Sequence, residues 1–114
     1  MNDRVTILQS EAIVLLKQLI ATPSFSKEED NTADIIEQFL ERNRVKTRVH
    51  LNNIWATNRF YDENKPTILL NSHHDTVKPN KGYTLDPFVP VEKEGKLFGL
   101  GSNDAGGSLV SLIA

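Results

Sequence analysis

Thr67-Ile68-Leu69-Leu70-Asn71-Ser72-His73-His74-Asp75-Thr76-Val77 is the stretch around which the chain is organised. Ile68-Leu69-Leu70 is a continuous apolar run, which fits a strand covered on both faces. The run delivers polar, metal-capable side chains at its end, and a short buried strand holds a ligand more rigidly than a loop does. In extended backbone alternate residues face the same side, so His73 and Asp75 share one face and His74 takes the other. Histidine at a strand end is a frequent metal ligand, and a nearby carboxylate fixes its tautomer through the second ring nitrogen. By itself, His-x-Asp is a weak motif.

A second stretch, Gly95-Lys96-Leu97-Phe98-Gly99-Leu100-Gly101-Ser102-Asn103-Asp104-Ala105-Gly106-Gly107, has the same design of apolar run followed by polar end. Its glycines fit a dinucleotide fingerprint poorly, because Ser102-Asn103-Asp104 stands where a closing glycine is needed. They better suit backbone that passes close to a bound group and delivers Asp104 to it. A carboxylate can bridge two cations, and two-metal hydrolases hold such ions roughly 3.5–4 Å apart.

Outward from these pieces the reading is structural. Leu8, Ala12, Leu15, Leu16 and Leu19, widened by Ile13 and Ile20, form one face of an amphipathic helix over residues 4–21. Pro23 ends it, and Thr22-Pro23-Ser24-Phe25 is a turn. Ser26-Lys27-Glu28-Glu29 reads as a capping box, opening a second helix to about Arg42 with Ala33, Ile36, Phe39 and Leu40 inward. Glu28, Glu29 and Asp30 form a dipole-matched first turn rather than a metal cluster. Val45, Thr47, Val49 and Leu51 alternate with Lys46, Arg48, His50 and Asn52, the pattern of a half-exposed strand. Asn52-Asn53 is the expected turn into a returning strand, Ile54 to Phe60, with His50 at the surface. Val89–Val91 and Leu97-Phe98 are short strands joined at Glu94-Gly95, and a last helix is expected from Ala105. This order points to an α/β sandwich. The final helix reaches Ala114 without a Gly or Asn cap or a polar tail, so a chain cut inside a larger domain is expected.

At 114 residues the chain is one domain at most. Its net charge of −2, with both signs mixed, and the lack of a basic block exclude an evident nucleic-acid surface. No cysteine is present, which rules out a disulfide scaffold and a thiolate metal site. No apolar stretch approaches the roughly 18 residues of a membrane span, and Met1-Asn2-Asp3-Arg4-Val5 lacks the features of a secretory leader. A soluble cytoplasmic protein is the expectation.

Taken together and in order, these motifs resemble the dizinc aminoacylase/carboxypeptidase family, which includes acetylornithine deacetylase and succinyl-diaminopimelate desuccinylase. The resemblance covers nearly the whole chain. Leu19-Ile20-Ala21-Thr22-Pro23-Ser24-Phe25-Ser26 is similar to the family's opening helix and turn. Leu69 to Val77 is similar to its first metal motif, and Asp86-Pro87-Phe88 with Gly95 to Asp104 to its second. The resemblance implies that His73 is a zinc ligand, that Asp75 holds the His73 ring as a catalytic-site residue, and that Asp104 bridges two zinc ions, with cobalt as a substitute. It also implies a cis Asp104–Ala105 peptide. Residues 1–114 would be the N-terminal part of the metal-binding catalytic domain, a truncated piece of a three-layer α/β/α fold with a mixed sheet. The general base, the other ligands and a lid domain that mediates homodimerisation would lie outside the chain. Departures from the family pattern are Leu100 for Arg, Ala105-Gly106 for Met-Lys, Ser108 for Gly, and Lys78 before Pro79.

The implied activity of the full-length parent is zinc-dependent deacylation of an N-acyl amino acid, N-acetylornithine or N-succinylornithine in arginine biosynthesis, with this piece inactive alone. Neither nucleic acid nor membrane is an expected partner. Two alternatives stand beside it. One is an aminopeptidase or dipeptidase of the same family, and the other a non-catalytic binding or structural module on the same scaffold.

Overall fold

A computed structural model describes residues 3–114, and Met1-Asn2 of the leader reading lie outside them. Helix α1, Asp3–Ile20, is the centre of the fold. Its inward residues Ala12, Leu15, Leu16, Leu19 and Ile20 follow the i, i+3, i+4, i+7, i+8 spacing of one helical face. Helix α2, Asp30–Arg42, packs Ile36 onto that face, and helix α3, Gly107–Ile113, adds Leu109 and Val110. Full burial of each such side chain is worth about 1.5–3 kcal/mol, so this three-helix contact is the main stabilising feature. The turn after α1 is held by Thr22, whose hydroxyl donates to the Gln18 carbonyl at 2.8 Å.

Two antiparallel hairpins complete the described structure. Strand β1, Thr47–His50, pairs with β2, Asn53–Ala56. Strand β3, Val91–Lys93, pairs with β4, Lys96–Phe98, around the expected Glu94-Gly95 turn, where both residues have positive φ. Lys17 on α1 reaches Glu92 on β3 at 2.9 Å. An exposed pair of this kind adds about 0–1 kcal/mol, yet it sets the hairpin beside α1 at the entrance to the Gly99–Gly107 loop.

The chain is a mixed α/β structure, as its element order implies, but six expectations change. Among the described residues there are only two-stranded sheets, not a layered one. Ile68-Leu69-Leu70 lies outside any strand, and its residues are 84%, 84% and 62% exposed. A strand covered on both faces needs hydrogen-bonded neighbours and helices above and below, and this length of chain supplies neither. The β1–β2 turn is Leu51-Asn52, one residue earlier than expected, with Leu51 at φ 54. Asn52 is drawn there by a bond to Glu29. The second strand stops at Ala56 rather than Phe60. The capping box does not form: Glu29 itself is the N-cap of α2, and the Ser26 hydroxyl is used elsewhere. Finally, α3 starts at Gly107, because Asp104 and Ala105 have non-helical backbone angles.

Candidate metal centre

The His73–Asp75 segment is pinned against the turn that follows α1. The Thr76 amide donates to the Ser24 carbonyl at 2.7 Å, and the Ser24 hydroxyl donates to the His74 carbonyl at 2.9 Å. Phe25 and Thr76 form an isolated parallel bridge. This short stretch of extended backbone produces the alternation expected of it. His73 and Asp75 face outward together, and His74 turns into the fold.

On the outward side, Asp75 Oδ1 lies 3.1 Å from His73 Nδ1, and the Asp75 carbonyl oxygen is 3.2 Å from the same nitrogen. The Ser26 hydroxyl donates to Asp75 Oδ2 at 2.5 Å. Asp75 thus orients the His73 ring while Ser26 orients Asp75. The opposite ring nitrogen, His73 Nε2, is 3.0 Å from Asp104 Oδ1. Two residues 31 positions apart therefore meet at one point.

Asp104 is carried there by a tight loop. Gly101 has φ 78, in the left-handed region, and its carbonyl accepts from the Gly106 amide at 2.8 Å. A Cβ at Gly101 would lie 2.7 Å from Thr76 Cγ2, and one at Gly106 only 2.6 Å from the Gly101 carbonyl oxygen and 2.5 Å from Leu16 Cδ1. The close approach these glycines permit is thus to the protein's own α1 and Thr76, rather than to a bound group. It also accounts for Gly106 in place of a long side chain, because Leu16 fills that space. Leu100 is buried, with its amide bonded to the Pro87 carbonyl at 2.7 Å, so it has become a packing residue. The Asp104–Ala105 peptide is cis, as the resemblance implied. Nothing in the structure explains Ser108.

The electrostatics follow from these contacts. Burial works against a charged His73 ring, but the Asp75 carbonyl and the Asp104 and Asp75 carboxylates outweigh it and raise its pKa above the ordinary 6.5. The Ser26 hydroxyl, against some burial and with help from His73, holds the Asp75 carboxyl below the ordinary 3.8. Both shifts have the sign expected when an imidazole and carboxylates stabilise one another's charged forms.

An imidazole nitrogen and a carboxylate oxygen are both zinc donors, and here they converge with half of the His73 side chain and 88% of Asp104's exposed. This donor pair fits a zinc ion. It does not complete one: among the described residues no three His, Cys, Asp or Glu side chains are grouped to hold a metal. His50, read as a surface residue, is exposed. Sequence reading missed the partners of His74. Its Nδ1 contacts the Thr32 hydroxyl at 2.8 Å and its Nε2 the Asn52 carbonyl at 2.9 Å. It also missed Ser26 as the partner of Asp75. The only signal for His74 was its place on the face opposite His73.

Residues 69–114 match the peptidase family M20/M25/M40. Over 111 residues the chain is 35% identical to a succinyl-diaminopimelate desuccinylase from Xylella fastidiosa (strain 9a5c), covering 91% of this chain and 28% of that protein. Enzymes of the same name from Rickettsia bellii (strain OSU 85-389) and Nautilia profundicola are 30% and 26% identical over 109 and 103 residues, covering 87% and 89% of this chain and 27% and 28% of theirs. The chain therefore spans about 28% of the length of the curated relatives it matches. No helix among the described residues is long and apolar enough to cross a membrane.

Proposed function

Because the chain belongs to the peptidase family M20/M25/M40, we propose that it forms the N-terminal part of the catalytic domain of a zinc-dependent amide hydrolase. The bond cleaved is the amide of an N-acyl amino acid. The relatives are named for succinyl-diaminopimelate, which favours an N-succinylated diamino acid of that type. N-acetylornithine, N-succinylornithine and the arginine-pathway expectation have no support among them. One observation carries the reading: His73 Nε2 and Asp104 Oδ1 meet at 3.0 Å across 31 positions of sequence.

In this reading His73 and Asp104 would be among the residues that hold the zinc. Zinc bound there supplies Lewis-acid polarisation of an acyl carbonyl and a lowered pKa for water. The chain's own part is positional. Asp75 and Ser26 fix the His73 ring from its Nδ1 side, and the Gly101–Gly106 turn brings the Asp104 carboxylate to Nε2. The general base, the remaining ligands and a dimerising lid domain are contributed by the rest of a longer, cytoplasmic protein. In its three-layer α/β/α fold Ile68-Leu69-Leu70 is a covered strand. The 114-residue chain alone is inactive with zinc or cobalt.

The test is a substrate comparison on the full-length protein loaded with zinc. N-succinyl-diaminopimelate should be hydrolysed with a kcat/KM at least about tenfold above that for N-acetylornithine, a difference of about 1.4 kcal/mol in transition-state binding. Preferential hydrolysis of unsuccinylated dipeptides would instead favour the peptidase alternative. A full-length protein that binds no zinc and hydrolyses none of these substrates would leave only the non-catalytic scaffold, and zinc binding and activity unchanged in His73→Ala would remove His73 as a ligand.

A further inference from the structure

We propose that His74, the histidine facing away from the candidate metal centre, is a positioning residue for His73, acting through its contacts with Asn52 and Thr32, with Asn52 in turn held by Glu29. The inference rests on the reading of His73 as a zinc ligand.

These contacts join three parts of the fold. His74 Nε2 donates to the Asn52 carbonyl at 2.9 Å in the β1–β2 turn. The Asn52 side-chain amide donates to Glu29 Oε2 at 2.8 Å at the N-terminus of α2. Thr32, in the first turn of α2 and 1% exposed, lies with its hydroxyl 2.8 Å from His74 Nδ1 and 3.1 Å from the Glu29 carbonyl, within reach of both although its one proton serves one at a time. Glu29 Oε1 also accepts from the Lys27 amide, which anchors the carboxylate.

Two consequences follow from donor and acceptor chemistry. A carbonyl only accepts, so Nε2 carries a proton and donates to Asn52, while Nδ1 is engaged by the Thr32 hydroxyl. Both ring nitrogens are therefore spent, and His74 has none left for a metal. The arrangement also anchors the end of the segment by a side chain as well as by backbone. Among the described residues, no ladder of strand bonds holds residues 67–75. The segment is fixed by Ser24 at its backbone and by His74 at its side chain. Alternate residues of an extended segment face opposite sides. Locking the His74 ring into the fold therefore holds His73 and Asp75 outward, toward Asp104. Partners behind a ligand commonly change metal affinity or activity by about 10–100-fold when removed.

The experiment measures zinc affinity of the full-length protein by competition with a chromophoric chelator, for the wild type, His73→Ala, His74→Ala, His74→Gln and Thr32→Val. His73→Ala should lose zinc at this site. His74→Ala should bind it about 10–100-fold more weakly. His74→Gln, which keeps a donor for the Asn52 carbonyl, should recover part of that loss, and Thr32→Val should show a smaller one. Unchanged affinity in a folded His74→Ala, with His73→Ala impaired, overturns the inference alone. Unchanged affinity in His73→Ala overturns the ligand reading beneath it. Should His74→Ala fail to fold, nitrogen NMR of the wild-type imidazole decides: a slowly exchanging Nε2–H supports the inference, and an imidazole without a proton at Nε2, or with one in rapid exchange, overturns it.

Discussion

His73 shows how little of a site a single side chain contains. Its ring lies between two carboxylates, with Asp75 at Nδ1 and Asp104 at Nε2. Only the Nε2 side is open to a metal, because Ser26 holds Asp75 in place on the other. Asp75→Asn keeps the shape and removes the charge that fixes the ring. In the zinc-loaded full-length protein it should lower kcat/KM by about 10–100-fold while the urea midpoint stays near wild type. A large fall in the midpoint would make Asp75 a structural residue instead. Glu29 gives the pH counterpart. Its bond from Asn52, set against some burial, holds its carboxyl below the ordinary 4.5. The folded chain then binds this proton less readily than the unfolded chain does, so the stability it contributes is full above about pH 4.5 and lost as pH falls through the folded value. Glu29→Gln should flatten the acid side of the stability curve, read by urea unfolding between pH 3 and 6, and an unaltered slope would show that the Asn52 bond carries no weight. The alternation of His73, His74 and Asp75 was legible in the sequence, because extended backbone has a period of two. The partners Thr32, Asn52 and Ser26 were not, since each lies far along the chain and is polar for ordinary local reasons.

Among the elements, α1 was the most legible, because its apolar period alone names the buried face. The Glu94-Gly95 hairpin was nearly as clear, since its turn chemistry is local. The capping box at Ser26 and the Asn52-Asn53 turn were local readings overridden at a distance. Ser26 gains more as a donor to a carboxylate than as a cap, charged acceptors making the stronger bond. Asn52 is held by Glu29 and His74, and Leu51 takes the positive φ in its place. The Gly99–Gly107 loop combines both kinds of information. Its glycines announce a tight path, while the object they approach is α1. Gly106→Ala would place a methyl 2.6 Å from the Gly101 carbonyl oxygen, which is backbone and cannot swing aside. It should destabilise the fold by about 1–3 kcal/mol and, by shifting Asp104, weaken zinc binding. A variant as stable as wild type would show that the loop relaxes freely.

Ile68-Leu69-Leu70 is the clearest case in which the whole molecule matters. Three consecutive apolar residues predict cover on both faces, yet they stand exposed beside the candidate site. The chain spans about 28% of its relatives' length, and in the proposed parent the remainder supplies strands on either side. Amide exchange tests this directly. Residues 68–70 should exchange almost as fast as open chain in the 114-residue protein, and at least about a hundredfold more slowly in the full-length one. Equal rates in both would remove them from any sheet. The order of elements, the helical face of α1, the β3–β4 turn and the opposed faces of His73 and His74 all depend on near neighbours and on backbone period, so the amino-acid order was enough to set them. The meeting of His73 with Asp104, the transfer of Ser26 to Asp75 and the contacts of His74 with Thr32 and Asn52 required the folded chain. They join groups separated by tens of positions, and no local preference encodes which distant partner a side chain will find.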